Sequence, residues 1–194
     1  MHRKPLAWTA ALLLSVASAP GGAAGGAAPE GPREKLPREL DVPYAGTPMD
    51  AVEAMHRLAG TGAGDVVFDL GCGDGRILIS AVRDFDARLG VCVELDPVRL
   101  DQAREKAREA GVEERIVFVE GDLFRVDLTQ ATVVTLYLLP NLNERLRPKL
   151  LRELRPGSRV VSYAFGMGDW EPDAEERAGR RKGYLWTVPE RDGR

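Results

Sequence analysis

The sequence predicts an α/β fold: a doubly wound, mostly parallel sheet with helices on both faces. The first observation is a strand, tight turn and helix over residues 65–76, where an apolar β-branched run breaks into three alternating glycines. The second is a strand at 90–94 that ends in an acidic residue before another helix. The third is a continuous apolar run at 131–139, typical of a central strand covered on both faces. Alternating strands and helices of this kind favour a parallel sheet.

Composition fits one globular domain. The chain has 194 residues, of which 44% are hydrophobic, and a formal net charge of -3. Because there is no basic excess, we expect no nucleic-acid partner. Two cysteines make no disulfide framework, so we expect Cys72 and Cys92 to be buried as small hydrophobic residues, with a bridge between neighbouring strands as the alternative. No His or Asp cluster accompanies them, and no metal site is expected.

Residues 1–24 have the pattern of a secretory signal peptide: a cationic start, an apolar run at 6–19 and small residues before the expected cleavage site. The apolar run is too short to span a bilayer comfortably, so we expect no stable membrane insertion after leader cleavage. This predicts a periplasmic or secreted protein; the alternatives are a membrane-anchored or a cytoplasmic one. Residues 25–40 are rich in Gly, Ala, Pro and charge and predict a disordered linker. The folded domain is expected at 41–194.

The domain begins with an amphipathic helix at 48–58, for which Thr47 is the predicted N-cap and Pro48 the first helical residue. His56 is expected on the surface of this helix. A helix at 142–154 should break or kink at Pro148. The remaining predictions are helices at 76–84 and 96–110, strands at 115–119, 159–163 and 184–188, and a loop over most of 166–183.

The glycine turn predicts a nucleotide-like ligand. Gly71, Gly73 and Gly75 allow positive φ and a close approach of ligand to backbone, and Cys72 lies between them. The N–H groups at the start of the next helix are expected to face the ligand. The spacing differs from the G-x-G-x-x-G of dinucleotide sites. Asp69 would also repel a pyrophosphate but suit an ammonium or sulfonium, so a cationic nucleoside fits better.

The stretch at 69–76, DLGCGDGR, resembles motif I of the class I S-adenosylmethionine (SAM) methyltransferases. In detail the chain resembles the small lysine methyltransferase-like group related to the mitochondrial carrier and ATP-synthase c-subunit methyltransferases. The resemblance implies a Rossmann-like fold, SAM as cofactor and methyl transfer. SAM is made in the cytosol, which conflicts with the predicted export. The other matching motifs, in family order around motif I, are VPYAGTP (42–48), VELDP (93–97), EGDLF (120–124), ATVVTLYLLPNLN (131–143) and LRPGSRVVS (154–162).

Two carboxylates follow later strands. Glu94 lies about twenty residues past the turn, the interval at which a βαβ unit presents a carboxylate to ribose hydroxyls; the alternative is a surface charge. Asp122 can accept the exocyclic amine of adenine while Leu123 or Phe124 packs on the ring. Alone, Asp122 would favour an ordinary Asp turn. The resemblance to the methyltransferases favours the adenine role.

Residues for the methyl acceptor are expected after the fourth strand, beside the glycine turn where the sheet reverses order. Tyr137, Pro140 and Asn141 are the predicted catalytic residues, since hydroxyl and carbonyl acceptors there could steer an amine. This segment departs from the Asn-Pro-Pro-aromatic or acidic motif of many amine-modifying methyltransferases. The resemblance also implies that Tyr44 and Thr47 touch the methionine end of SAM. The alternative is that the segment only leads into the first helix.

The sequence therefore predicts a SAM-dependent methyltransferase whose acceptor is unknown and could be a protein lysine. The alternatives are a small-molecule methyltransferase and a non-catalytic nucleotide-binding module. A nicotinamide oxidoreductase is disfavoured by the glycine spacing.

Overall fold

The computed structural model of the chain describes residues 46–191. The predicted leader, the predicted linker and the candidate residue Tyr44 lie outside the described residues. The described part belongs to one unit, Pro43–Arg194, and the predicted domain limits stay a prediction. Within 46–191, no helix is both long and apolar enough to cross a bilayer.

Helices and strands alternate through most of the described chain. The helices are α1 (Met49–Ala59), α2 (Arg76–Arg83), α3 (Pro97–Glu109), a short 3-10 helix (Glu113–Arg115) and α4 (Pro140–Glu153). The strands are β1 (Val66–Leu70), β2 (Leu89–Glu94), β3 (Ile116–Glu120), β4 (Val133–Leu136), β5 (Arg159–Tyr163), β6 (Ala174–Ala178) and β7 (Arg181–Thr187).

One seven-stranded sheet has the order β3-β2-β1-β4-β5-β7-β6. The five strands from β3 to β5 are parallel, β7 is antiparallel to β5, and β6 is antiparallel to β7. The order reverses between β1 and β4, which confirms the predicted doubly wound sheet and its switch point. The antiparallel closing strand is also confirmed.

The predicted loop at 166–183 is wrong, because it contains β6 and the start of β7. β6 lies at the edge of the sheet and its three central residues, 175–177, are exposed. Charged residues are common on edge strands, where they discourage further strand pairing. Such a strand lacks the apolar alternation by which strands are found in a sequence.

Two helix boundaries also differ from the prediction. α1 begins at Met49, and the carbonyl of Pro48 accepts the first backbone bonds, from the N–H groups of Ala51 and Val52. Thr47 is therefore not the N-cap. α4 begins at Pro140, which shortens β4, and it continues through Pro148 rather than breaking there.

His56 is buried, contrary to the predicted surface position. Its Nε2 lies 3.0 Å from the carbonyl oxygen of Ile77 and its Nδ1 lies 3.2 Å from Thr61 Oγ1. Since a carbonyl only accepts, Nε2 carries the proton of the neutral ring and Nδ1 accepts from the hydroxyl. Burial lowers the pKa of His56, partly opposed by the Ile77 bond and by Asp84.

The sheet separates two apolar cores. α1, α2 and α3 cover one face, while α4 and the segment between β3 and β4 cover the other. In β1, Val67 joins the first core and its neighbours Val66 and Phe68 join the second. Asp69 shares the face of Val67, at the same level as Thr135 of β4 in the register. The fold thus places a carboxylate in an apolar layer beside the switch point.

Candidate cofactor and acceptor site

The glycine turn after β1 is tightly bonded within the protein. Gly71, Gly73 and Gly75 have φ of 83°, 54° and 76°. The Gly71 N–H donates to the carbonyl of Val93 at 2.8 Å, and the Gly73 N–H donates to Glu94 Oε2 at 2.9 Å. Because these donors are already used, this part of the turn is not a phosphate cradle of the kind that free N–H groups form.

Close packing requires glycine at both ends of the turn. A Cβ on Gly71 would lie 3.3 Å from Leu138 Cδ2, and a Cβ on Gly75 would lie 3.1 Å from Ala103 Cβ in α3. Gly71 therefore brings the turn against the segment that follows β4. Gly75 serves the packing of α3 against the turn.

Asp69 is the unusual group of the site. The carboxylate is 2% exposed, and its Oδ1 accepts a 2.8 Å hydrogen bond from Thr135 Oγ1. Within the described chain, Oδ2 is buried without a partner. Burial raises the pKa of Asp69 to about 7; the Thr135 bond opposes this, and the charges of Glu94 and Asp74 add to it. A buried carboxylate oxygen with no donor fits the ammonium group of SAM.

Glu94, at the end of β2, holds the turn in place. Its Oε2 accepts from Gly73, and its Oε1 accepts from the N–H groups of Leu95 at 2.9 Å and Asp96 at 3.1 Å. A carboxylate has about four acceptor positions, so capacity remains for a ribose hydroxyl. The ribose role stays a prediction.

Asp122 lies beside Glu94, because the N–H of Gly121 donates to the Glu94 carbonyl at 2.9 Å. The Asp122 Oδ1 accepts from the N–H of Phe124 at 2.9 Å, as in an Asp turn. Leu123 is half-buried against the second core. The structure thus brings Asp122 and Leu123 to the predicted edge of the site, and their contact with adenine stays a prediction.

An ion-pair cluster behind the turn was missed by sequence reasoning. Asp74 is buried and accepts from Arg76 at 2.8 and 2.7 Å and from Lys106 Nζ at 2.6 Å. Burial by itself would raise the pKa of Asp74, but the bonds and charges of these two cations outweigh it and hold that pKa well below its usual range. Asp74 Oδ1 also accepts a 3.3 Å hydrogen bond from the backbone N–H of Arg76, the first residue of α2. This N–H group is therefore bonded within the protein rather than left for the ligand.

Arg76 also anchors the segment that precedes α1. Its Nη1 donates to the carbonyl of Thr47 at 3.0 Å, and a Cβ on Gly46 would lie 2.7 Å from the guanidinium. Thr47 is buried. Glycine at position 46 therefore lets the chain pass close over Arg76, which ties this segment to the glycine turn. The D-x-R spacing at 74–76 was the available signal.

Cys72 and Cys92 form a disulfide, with Cα atoms 5.4 Å apart. The expectation of two separate buried thiols is wrong. Cys92 is the register partner of Asp69, and the turn brings Cys72 back over β2 to meet it. Because the Cys72 side chain is bonded in the core, only its backbone can face a cofactor. Within residues 46–191, no group of His, Cys, Asp and Glu could hold a metal ion.

Three aromatic rings gather at the ends of β4 and β5. The Tyr137 ring centroid lies 4.9 Å from that of Tyr163, edge-on, and 6.4 Å from that of Phe165, nearly parallel. Tyr137 precedes Leu138, the residue that faces Gly71. The other two predicted catalytic residues, Pro140 and Asn141, are exposed in the first turn of α4. Tyr137 therefore has the aromatic surroundings that Pro140 and Asn141 lack.

Comparisons with known proteins agree with this geometry. The family model described as the ANTKMT methyltransferase domain matches residues 69–174. A protein-lysine N-methyltransferase of Saccharolobus islandicus (strain REY15A) is 47% identical over 131 residues, covering 68% of this chain and 81% of that protein. The adenine nucleotide translocase lysine N-methyltransferase of Mus musculus is 34% identical over 154 residues, covering 79% of this chain and 66% of that protein.

A solved structure shares the fold. The crystal structure of an RNA methyltransferase from Salinibacter ruber, in complex with S-adenosyl-L-homocysteine, has a TM-score of 0.74 and 48% sequence identity. The matched region covers 77% of this chain and 97% of the Salinibacter ruber chain. The family match begins at Asp69 and includes the glycine turn, Glu94 and Asp122. The chain therefore belongs to the ANTKMT methyltransferase domain family of SAM-dependent methyltransferases.

Proposed function

We propose that the chain transfers a methyl group from SAM to the side-chain amine of a protein lysine. The observation that carries the proposal is the aromatic cluster of Tyr137, Tyr163 and Phe165 next to the glycine turn. Aromatic faces attract ammonium and methylated ammonium groups. The names of the Saccharolobus islandicus and Mus musculus relatives support a lysine acceptor.

The residues present fit SAM. Asp69 would hold its ammonium group, Glu94 the ribose hydroxyls, and Asp122 with Leu123 the adenine. When bound, SAM supplies a methyl group on a positively charged sulfur. The protein has to hold the acceptor in line with that methyl group and exclude water.

An attacking lysine must first lose its proton. With an ordinary pKa near 10.4, only about one lysine in a thousand is neutral at pH 7.4. Moving the amine out of water and next to the positively charged sulfur of SAM lowers its pKa. Burial, and next the neighbouring Tyr137, raise the pKa of Tyr163, so its hydroxyl keeps its proton at neutral pH. Tyr163 can therefore orient an amine but does not act as a base, and Tyr137 remains the candidate for contacting it.

The test is to incubate the full chain and methyl-labelled SAM with fractions of its own cell extract. We expect the label to be in protein. Protease should release it, and mass spectrometry should place it on lysine. The matched control is Asp69→Asn, which should lower labelling because it removes the charge that faces the ammonium group. Label confined to small metabolites would refute a protein acceptor and favour the small-molecule alternative.

An RNA acceptor is the second candidate, since the Salinibacter ruber relative is described as an RNA methyltransferase. The hairpin of β6 and β7 also carries Arg177, Arg180, Arg181 and Lys182, which could contact phosphates. The net charge of -3 argues against it. In the same experiment, label removed by ribonuclease and resistant to protease would favour RNA.

We also propose that the chain is exported, as the leader-like residues 1–24 predict. The disulfide supports this proposal, since disulfides persist in oxidising compartments and are rare in the cytosol. Fractionation, with the intact mass of the recovered protein, is the test. A full-length protein in the cytosol with two free thiols would refute export.

A further inference from the structure

The backbone bends sharply where β5 ends. Ala164 has φ of 72°, and within residues 46–191 the only other non-glycine residue with positive φ is Asp86. Left-handed backbone is unfavourable for a residue with a Cβ and persists where the surroundings fix it. The Ala164 N–H still donates to the carbonyl of Lys182 at 2.8 Å, so the bend remains attached to β7.

Two buried side chains hold the residues after the bend. Asn143 of α4 is fully buried, and its Nδ2 lies 3.2 Å from the carbonyl oxygen of Gly166 and 3.4 Å from that of Phe165. Ser162 of β5 is also fully buried, and its hydroxyl donates to the Phe165 carbonyl at 2.8 Å. The same Asn143 nitrogen lies 3.3 Å from Ser162 Oγ. These two side chains contact each other and share the Phe165 carbonyl as acceptor, so together they fix the path of the strained segment.

The residue whose backbone they hold, Phe165, contributes an aromatic ring to the candidate acceptor site. Phe165 lies nearly parallel to Tyr137, with an interplanar angle of 14°. Tyr137 in turn meets Tyr163 edge-on. Neither Asn143 nor Ser162 contacts the glycine turn through a described hydrogen bond, so their effect should fall on the acceptor side of the site.

We propose that Asn143 and Ser162 are positioning residues, which hold Phe165 and, through its ring, set the orientation of Tyr137 towards the acceptor. The consequence for catalysis rests on the proposed function, because it requires an acceptor that enters beside Tyr137. The arrangement of the rings themselves does not depend on the identity of the acceptor. The two parts can therefore be tested separately.

The experiment compares Asn143→Asp and Ser162→Ala in the full chain. Asn143→Asp keeps the shape of the side chain and loses the amide donors. The matched control is Ser158→Ala, which removes a buried hydroxyl bond, 3.3 Å to the carbonyl of Ala131, just before the opposite end of β5. The protein is labelled with 3-fluorotyrosine, and Tyr137→Phe assigns the fluorine resonance of Tyr137.

We expect the Tyr137 resonance to shift and broaden in both positioning variants and to stay in place in Ser158→Ala. With poly-L-lysine as the probe acceptor, kcat should fall at least tenfold in Asn143→Asp. Calorimetry should show S-adenosyl-L-homocysteine affinity within twofold of the wild type, since the glycine turn is untouched. A purely structural role would instead lower the unfolding temperature of all three variants and leave the resonance in place.

Either of two results would overturn the inference: an unchanged Tyr137 resonance in the folded positioning variants, or an equal change in Ser158→Ala. Should Asn143→Asp not fold, Ser162→Ala decides, because it deletes a single donor to Phe165. If the wild type methylates no lysine probe, the proposed acceptor is refuted, and the resonance still decides whether Asn143 and Ser162 position the ring.

Discussion

Replacing Asp69 with Asn should remove a loss of stability that the folded protein suffers as pH rises from about 4 to about 7, and it should weaken SAM binding. The substitution keeps the shape of the side chain and the acceptor for the Thr135 hydroxyl, and it removes the charge. Asp69 is buried, with one oxygen that has no partner in the described chain. The carboxylate is therefore costly to ionise in the folded protein when no ligand is bound.

The size of the effect follows from the pKa of Asp69. Its rise from 3.8 to about 7 corresponds to about 4 kcal/mol, as an upper limit. Between these two values the unfolded chain has released the proton and the folded chain keeps it, so the stability of the wild type falls as pH rises. Asn does not titrate. The new amide also lacks an acceptor, which costs about 1–3 kcal/mol at every pH and adds no slope.

The same substitution should weaken the binding of SAM. Loss of a charge-assisted bond to the ammonium group of SAM should cost about 1.5–3 kcal/mol of affinity. In the wild type, a carboxyl group with a pKa of about 7 is about one-tenth ionised at pH 6 and about nine-tenths ionised at pH 8. Affinity for SAM should therefore rise about tenfold over this interval, and it should not do so in Asp69→Asn.

Urea unfolding between pH 4 and 8, with calorimetric titration of SAM at pH 6, 7 and 8, measures both effects. We expect the stability difference, Asp69→Asn minus wild type, to increase with pH and to level off above 7. A stability difference that is independent of pH, together with unchanged SAM affinity in the variant, would refute the reasoning that Asp69 is a buried carboxylate that binds the ammonium group of SAM.

Four further predictions concern groups around the site. Glu94→Ala should weaken SAM binding by about 1.5–3 kcal/mol by calorimetry, and unchanged affinity in a folded variant would count against the ribose role. Reducing the Cys72–Cys92 disulfide, which spans 20 residues, should lower the unfolding free energy by about 3 kcal/mol; equal urea midpoints with and without dithiothreitol would contradict this. Arg76→Lys keeps the charge but cannot bond Asp74 and Thr47 in the same geometry, so the KM for SAM should rise severalfold in initial-rate assays; an unchanged KM would mean that the anchor does not serve the cofactor. The pKa of His56 is lowered, so its contribution to stability is present above pH 6.5 and is lost as pH falls; His56→Gln should remove that acid sensitivity, and parallel pH profiles would show that the ring is not buried neutral.

Local patterns predicted the centre of the fold well. β1 lies within the predicted strand, turn and helix at 65–76, β5 has the predicted limits, and α2 ends one residue early, because apolar runs next to glycines are unambiguous signals. β6 was missed because it is a charged edge strand whose partner, β7, had to be known first. The central strand predicted at 131–139 is present as β4 but is shorter than predicted, since its last residues lead directly into α4.

The predicted part of the candidate site consists of residues that are neighbours in the sequence or whose separation along the chain is fixed by a motif. Asp69, the glycines and Glu94 lie together as expected. The contact of Asp74 with Lys106 joins residues 32 positions apart on different elements, which no local pattern reveals. Asn143 is a polar residue in a largely polar helix, and only the packing of α4 against β5 shows that it is buried.

The charge distribution around the turn explains why one fold element can serve a cationic ligand here and an anionic ligand in dinucleotide sites. Asp74 is neutralised by Arg76 and Lys106, and Glu94 accepts three backbone N–H groups. Asp69 has a hydroxyl partner for one oxygen and, in the described chain, no partner for the other. One carboxylate thus lacks a cation in a setting where desolvation makes its charge expensive. A phosphate would increase that cost and an ammonium group would relieve it, so we expect the site to favour SAM by charge as well as by shape.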